Sequence, residues 1–277
     1  MGFPLIPRKR GNGGCALDDY ADVLTRVYCP GVRLLSSYGG ALLRVRRDSD
    51  QAESDFYAGS DDLLDKAAIA AWLGGADGYL PIIYEQKGSG YNLARTSAAN
   101  QPKYQPDGIN GLMSTEHVSA SNQRMVAGGL TISKPITYYS VAQLTAGLEN
   151  NNTGYHIHSG TVHDYNPYMH KGGGLNPDWF GLWGGGAYAY HGVADSDRHI
   201  FSSRLKAGDY GHYMDGTIKS TATAGCDNNI GLAWAGSRKD QYCWDGWLSA
   251  ILVHDGEHDN TTMLAIQDAL NDYFETY

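Results

Sequence analysis

Carboxylates, histidines and flat aromatics on glycine-rich backbone are the residue types in this chain that could do chemistry. Cleaving a glycosidic bond takes two carboxyl groups roughly 5–10 Å apart across a cleft, one of them with a raised pKa. The acids on offer are Asp48, Glu53, Glu85, Glu116, Glu149, Asp164, Asp178 and Asp195. His156 and His158 fall two apart in Tyr155–His163, so a strand would put them on one face, a spacing that can bind zinc. His163 and His170 follow nearby. The alternative is an ordinary solvated strand face. Asp195-Ser196-Asp197 and His254–Asp259 are oxygen-rich loops able to hold calcium, but neither fits the EF-hand pattern, and a solvated turn and a helix start are the simpler readings. No metal ligand and no cofactor is assigned. No Walker A loop, G-x-S-x-G elbow or H-E-x-x-H occurs.

Trp179–His191 is the stretch whose composition suits a sugar. Glycines bring backbone close to a ligand, and aromatic rings offer a stacking surface to the C–H faces of a sugar. Trp179, Trp183, Tyr188, Tyr190 and His191 are the candidate glycan contacts; on a strand, Tyr188 and Tyr190 face the same way. Core aromatics under a glycine-rich loop, or a subunit interface, would read the same.

Those residues need a scaffold, and Arg33–Asp55 organises it. It reads as strand, turn at Gly39-Gly40, second strand, then acidic loop. Arg44 and Arg46 share a strand face, and Asp48, Asp50, Glu53 and Asp55 follow. Arginine forks pair bidentately with carboxylates, so an internal charge clamp is the default and a substrate-binding arginine pair the alternative. Helices are expected at Asp18–Val27, ended by Cys29-Pro30-Gly31, at Asp61–Leu73, stopped by Gly74-Gly75, and at Thr261–Tyr277, capped by Asn260 or Asp259. Strands are expected at Tyr79–Tyr84, Leu130–Ile132, Ile136–Val141, His199–Ser203, Tyr210–Met214, Gly216–Ser220, Ile230–Ala235 and Trp244–His254, with Asp215-Gly216 at a hairpin tip.

The 277 residues suffice for one all-β sandwich, and 18% charged residues with 36 glycines and 20 tyrosines suit a loop-rich one. No apolar run reaches the roughly 18–20 residues of a membrane helix, and no signal-peptide pattern opens the chain. The net charge of −9 is uneven: residues 1–47 carry eight Lys/Arg against three Asp/Glu, residues 48–277 thirteen against twenty-seven. An acidic body argues against nucleic acid as a partner. Cys15, Cys29, Cys226 and Cys243 show no zinc spacing; free buried thiols are the simplest reading, with a Cys15–Cys29 loop or a Cys226–Cys243 staple as alternatives. Residues 1–16 read as an extended arm: Pro4 and Pro7 block a helix, Phe3, Leu5 and Ile6 are apolar, Arg8, Lys9 and Arg10 are basic, and Gly11–Gly14 is a hinge.

The Arg33–Asp55 block resembles the opening of the domain found in B-type α-L-arabinofuranosidases and in related bacteriophage virion proteins. Asp77-Gly78-Tyr79, Tyr84–Asn92 and Gln101-Pro102-Lys103 resemble that domain's next motifs in order, with Ile83-Tyr84-Glu85-Gln86 standing where the family has W-Y-D-Q. Asp245–His254 and the final helix resemble the end of concanavalin A-like, laminin-G-like jelly rolls. The resemblance implies an all-β, concanavalin A-like jelly-roll sandwich of two antiparallel sheets with a few peripheral helices, spanning 17–277 behind the arm. None of the acids named above stands in a stretch matching the family's catalytic motifs. On that ground, and on the arm, the sequence favours a non-enzymatic virion structural protein. It would be a head decoration, head fibre or tail component, homo-oligomeric, located in the virion, docked on other capsid or tail proteins and touching a cell-surface polysaccharide. A glycoside hydrolase of α-L-arabinofuranosidase type and a free-standing carbohydrate-binding module are the alternatives.

Overall fold

The computed structural model describes residues 14–118, 121, 123–133, 135–145, 154–155, 157–158, 166–170, 179–184, 187–193, 195–206, 209–222, 233–234 and 244–277, with backbone pairing alone at 154–193, 209–210, 220, 222 and 233–234. The arm residues Phe3, Leu5, Ile6, Arg8, Lys9 and Arg10 lie outside them, as do Cys226 and Cys243.

The described residues form nineteen strands: β1 (Arg26–Tyr28), β2 (Leu43–Arg47), β3 (Glu53–Phe56), β4 (Gly78–Ile83), β5 (Leu93–Ala94), β6 (Lys103–Gln105), β7 (Ser114–His117), β8 (Met125–Ala127), β9 (Ile136–Leu144), β10 (Gly154–Tyr155), β11 (Ile157–His158), β12 (Asn166–His170), β13 (Trp179–Gly184), β14 (Ala187–Val193), β15 (Arg198–Lys206), β16 (Asp209–Met214), β17 (Thr217–Ala222), β18 (Ala233–Trp234) and β19 (Gly246–His254). Two α-helices, α1 (Lys66–Leu73) and α2 (Asn260–Phe274), and three short 3₁₀ turns complete them. Fifteen strands pair into one antiparallel network; β10, β12, β13 and β14 form a separate four-stranded sheet. The chain is all-β, as its alternating patterns and turn residues predict.

The centre of the large sheet is β9 between β15 and β19. These strands are buried along nearly their whole length because both faces are covered, and β15 buries His199, Ser202 and Ser203 among its apolar residues. On one face Tyr138, Ala142, Phe201, Leu248 and Val253 pack with Tyr28, Ile83, Met125 and Trp244. On the other, Tyr139, Val141, Ile200 and Leu252 meet Leu17, Leu24, Val27 and the apolar stripe of α2. That stripe, Met263, Ile266, Leu270, Tyr273 and Phe274, recurs at helical spacing, and each such side chain contributes about 1.5–3 kcal/mol when fully buried. The Asp259 carboxylate caps the helix by accepting from Thr262 N at 2.7 Å. A third cluster holds Leu43, Val45, Phe56, Ile69 and Leu80 under β2–β4 and α1.

Local differences from the sequence expectations have physical causes. Leu34 and Leu35 are buried but belong to no strand, so Gly39-Gly40 joins no hairpin. Instead the Tyr38 hydroxyl donates to Ala41 O and closes the turn itself. Asp18–Val23 is a 3₁₀ turn rather than the first half of a helix, because Arg26–Tyr28 is drawn into pairing with β19. Helix α1 starts only after Asp65, whose carboxylate accepts from Ala68 N, and ends on Gly74 at φ 59°. Leu130 and Ile132 are core residues outside any strand. Cys15 and Cys29 are free and buried, which excludes the bridge between them. Cys15 and Ala16, at the end of the expected arm, are buried against the body.

Candidate functional site

The most legible sequence block is a set of internal clamps. Arg44 donates from Nε to Asp55 Oδ1 at 2.7 Å and from Nη2 to Oδ2 at 3.0 Å, a bidentate pair, and the Tyr84 hydroxyl donates to Asp55 Oδ1 at 2.8 Å. The Arg44 guanidinium and the Tyr84 hydroxyl hold the Asp55 carboxyl below the usual range. Arg46 is buried, bound to Gln101 Oε1 and Gln51 Oε1 at 2.7 Å each, and stacked over Tyr79. Between the two arginines the β2–β4 register slips by one, with Pro81 in the bulged stretch, where it has no N–H to give. Glu85 is 3% exposed and accepts from the backbone N–H groups of Val27, Lys87 and Ser89 at 2.9, 2.6 and 2.7 Å. Gln86 accepts from Leu34 N and donates to Cys29 O and Val32 O. The charge-clamp reading of Arg44 is right, and Glu85 is committed to holding loops.

The acidic loops also have structural duties. Asp255 pairs with Arg26 at 2.7 Å, Glu257 with Lys206 at 2.8 Å, and Asp259 caps α2. His258 accepts from the Tyr139 hydroxyl at 2.7 Å and donates to Val23 O. Among the described residues no group of three or more His, Cys, Asp or Glu is placed to hold a metal. His156 and His163 lie outside the described residues; His158 pairs with Ala233 in the large sheet, His170 with Trp179 in the small one.

A different cluster escaped the sequence reading. His199, the second residue of β15, has Nδ1 2.5 Å from Asp215 and Nε2 2.8 Å from Asp195. Burial opposes its charge, but hydrogen bonds and attraction from both carboxylates outweigh it and raise its pKa. Asp215 is placed by the β16–β17 hairpin tip, where it has φ 49° beside Gly216 at φ 69°, and it also accepts from Ile200 N at 2.9 Å. The available signals were the i,i+4 spacing of Asp195 and His199 and the Asp-Gly tip, both too common to be specific. This cluster borders an open cleft of about 730 Å³, further lined by Asn110, Gln143, Asp197, Arg198, Glu275 and Thr276.

The candidate glycan residues fall on the four-stranded sheet. Trp183 pairs with Tyr188 and with Asn166, Gly181 with Tyr190 and with Tyr168, and Trp179 with Val193 and His170. By alternation Trp179 and Trp183 occupy one face of β13, and the register carries that face across to Tyr188 and Tyr190. The register shift leaves His191 as the extra residue of β14.

Comparisons agree with this architecture. A family model described as alpha-L-arabinofuranosidase B, catalytic, matches residues 27–169. The chain superposes on an arabinofuranosidase complexed with arabinofuranosyl-alpha-1,2-xylobiose at a TM-score of 0.75 and 13% identity, over 93% of this chain and 64% of that one. A GH54 α-L-arabinofuranosidase soaked with a cyclic sulfate inhibitor gives a TM-score of 0.72 at 13% identity with the same coverage. This chain therefore spans about 64% of the length of those solved proteins. No curated protein sequence matches. The expectation of a non-enzymatic virion structural protein, with its capsid-decoration and tail roles, is corrected by the family match. That match runs through the clamp block into β12 and does not involve the arm on which the phage reading leaned. The jelly-roll and carbohydrate aspects fit both.

Proposed function

The chain belongs to the α-L-arabinofuranosidase B catalytic family, and from that membership we propose that it is a glycoside hydrolase releasing α-L-arabinofuranosyl units from arabinose-bearing polysaccharides. The match over residues 27–169 is the observation that carries the reading. The aromatic register on β12–β14 supports it: Trp179, Trp183, Tyr188 and Tyr190 would give a sugar chain its stacking surface, with His191 at the bulge beside them. Bond cleavage would proceed through an oxocarbenium-like transition state flanked by two carboxyl groups, about 5–5.5 Å apart for retention or 6.5–9.5 Å for inversion. The general acid must have a raised pKa. Asp50, Asp55 and Asp259, held down by Arg47, Arg44 and Thr262 N respectively, are unsuited to that role. Glu85, Asp195 and Asp215 are already engaged by backbone N–H groups or by His199.

Incubation of the purified chain with arabinoxylan, with chromatographic detection of L-arabinose, tests the proposal. Release of free arabinose is expected, and Trp183→Ala should raise KM several-fold. A folded protein that releases none would overturn the reading.

A further inference from the structure

We propose that the cleft beside His199 is a second carbohydrate site, which holds the hydroxyl edge of a neutral oligosaccharide by hydrogen bonds. The choice of ligand rests on the arabinofuranosidase reading; the existence of the site rests on the cleft itself. At about 730 Å³ it has the size of a small-molecule site. Its walls come from the 108–111 turn, the end of β9, the start of β15, the β16–β17 tip and the end of α2. Every side chain lining it is polar or absent, so it offers no ring for stacking.

The cleft has uncommitted groups over a fixed floor, in which the lining residues His199 and Asp215 are backed by Asp195. His199, Asp195 and Asp215 satisfy one another and Ile200 N, which makes a rigid floor. Among the described residues the Asp197 and Glu275 carboxylates accept no hydrogen bond. Among the described residues Arg198 has a single long side-chain contact, 3.4 Å to Asn110 Oδ1. The Gln143 amide donates to Ser196 O, and among the described residues its Oε1 accepts no hydrogen bond. An anion would meet Asp197 and Glu275, and a cation would meet Arg198. A vicinal diol suits both, donating to a carboxylate and accepting from the guanidinium. Glu275 is held toward this set by an unusual helix end, with φ 45° where glycine is usual, and Asn110 opposite it has φ 53°.

Affinity electrophoresis of the full chain through native gels containing arabinoxylan or linear arabinan tests the site. Two variants are used: Asp197→Ala/Arg198→Ala, on half-buried or exposed positions, and Glu275→Gly, which suits its backbone and so cannot act by strain. We expect retardation of the wild type, at least a tenfold weaker apparent Kd in the double variant, about threefold weaker in Glu275→Gly, and unchanged melting temperatures. Wild-type retardation in neither gel, or equal retardation of the variants, would overturn the site. Hydrolysis assayed separately on the wild type bears only on the catalytic reading, so either claim can fail while the other stands.

Discussion

The Arg44–Asp55 block and the His199 cleft both gather charge, but they do so to opposite ends. In the block, Arg44, Arg46 and Arg47 each face a carboxylate or amide partner, and Glu85 receives three backbone N–H groups. Nothing remains for a ligand. At the cleft the floor is satisfied while, among the described residues, the Asp197 and Glu275 carboxylates accept no hydrogen bond and Arg198 has one long contact. The difference teaches that a motif can be conspicuous because it builds the frame, with recognition left to residues of no conspicuous pattern.

Perturbing the frame should give the largest effects. A Cβ on Gly246 would lie 2.1 Å from Gln143 O, where β19 begins to pair with the end of β9, so Gly246→Ala should abolish folding or cost at least about 3–4 kcal/mol in urea denaturation. Glu85→Ala orphans three N–H groups at once and should cost about 3–5 kcal/mol by the same measurement. Cleft substitutions such as Asp197→Ala should stay within about 0.5 kcal/mol, as for surface positions. A cleft variant that proved as damaging as Glu85→Ala would erase the contrast.

Histidines sharpen the comparison through pH. Burial pushes His117 down to about 3, so it stays neutral in the fold; its contribution is complete above pH 6.5 and is lost as pH falls, by about 1.4 kcal/mol per unit. His199 is shifted up, so its contribution is complete below pH 6.5 and is lost as pH rises through its folded pKa. The stability curve of His117→Gln should therefore flatten on the acid side and that of His199→Gln on the neutral-to-alkaline side, read by thermal melts from pH 5 to 8. Within the frame the mildest change is Tyr84→Phe, about 1 kcal/mol, because Asp55 keeps both bonds to Arg44.

Much of the frame was legible in the sequence. Strand-like runs bounded by turn residues located β9, β15 and β19, and the apolar spacing of 263–274 located α2. The Arg44 clamp followed from fork geometry alone. The turn at Tyr38 was not legible, since a hydroxyl closing its own loop looks no different in sequence from Gly-Gly serving a hairpin. The His199 cluster was also hidden, because Asp195, His199 and Asp215 meet only through strand pairing across a hairpin. Function went astray at the arm, whose basic and apolar residues outweighed a family resemblance that extends much further along the chain.

The central claim, that a catalytic domain rests on this frame, is tested most directly with 4-nitrophenyl α-L-arabinofuranoside. The purified chain should liberate 4-nitrophenol at a rate proportional to protein, with kcat on the order of 1–1000 s⁻¹, and Asp197→Ala/Arg198→Ala should retain that rate within a factor of two, since neither residue is placed among the reacting groups. No release above the spontaneous rate from protein with an intact thermal transition would contradict the account.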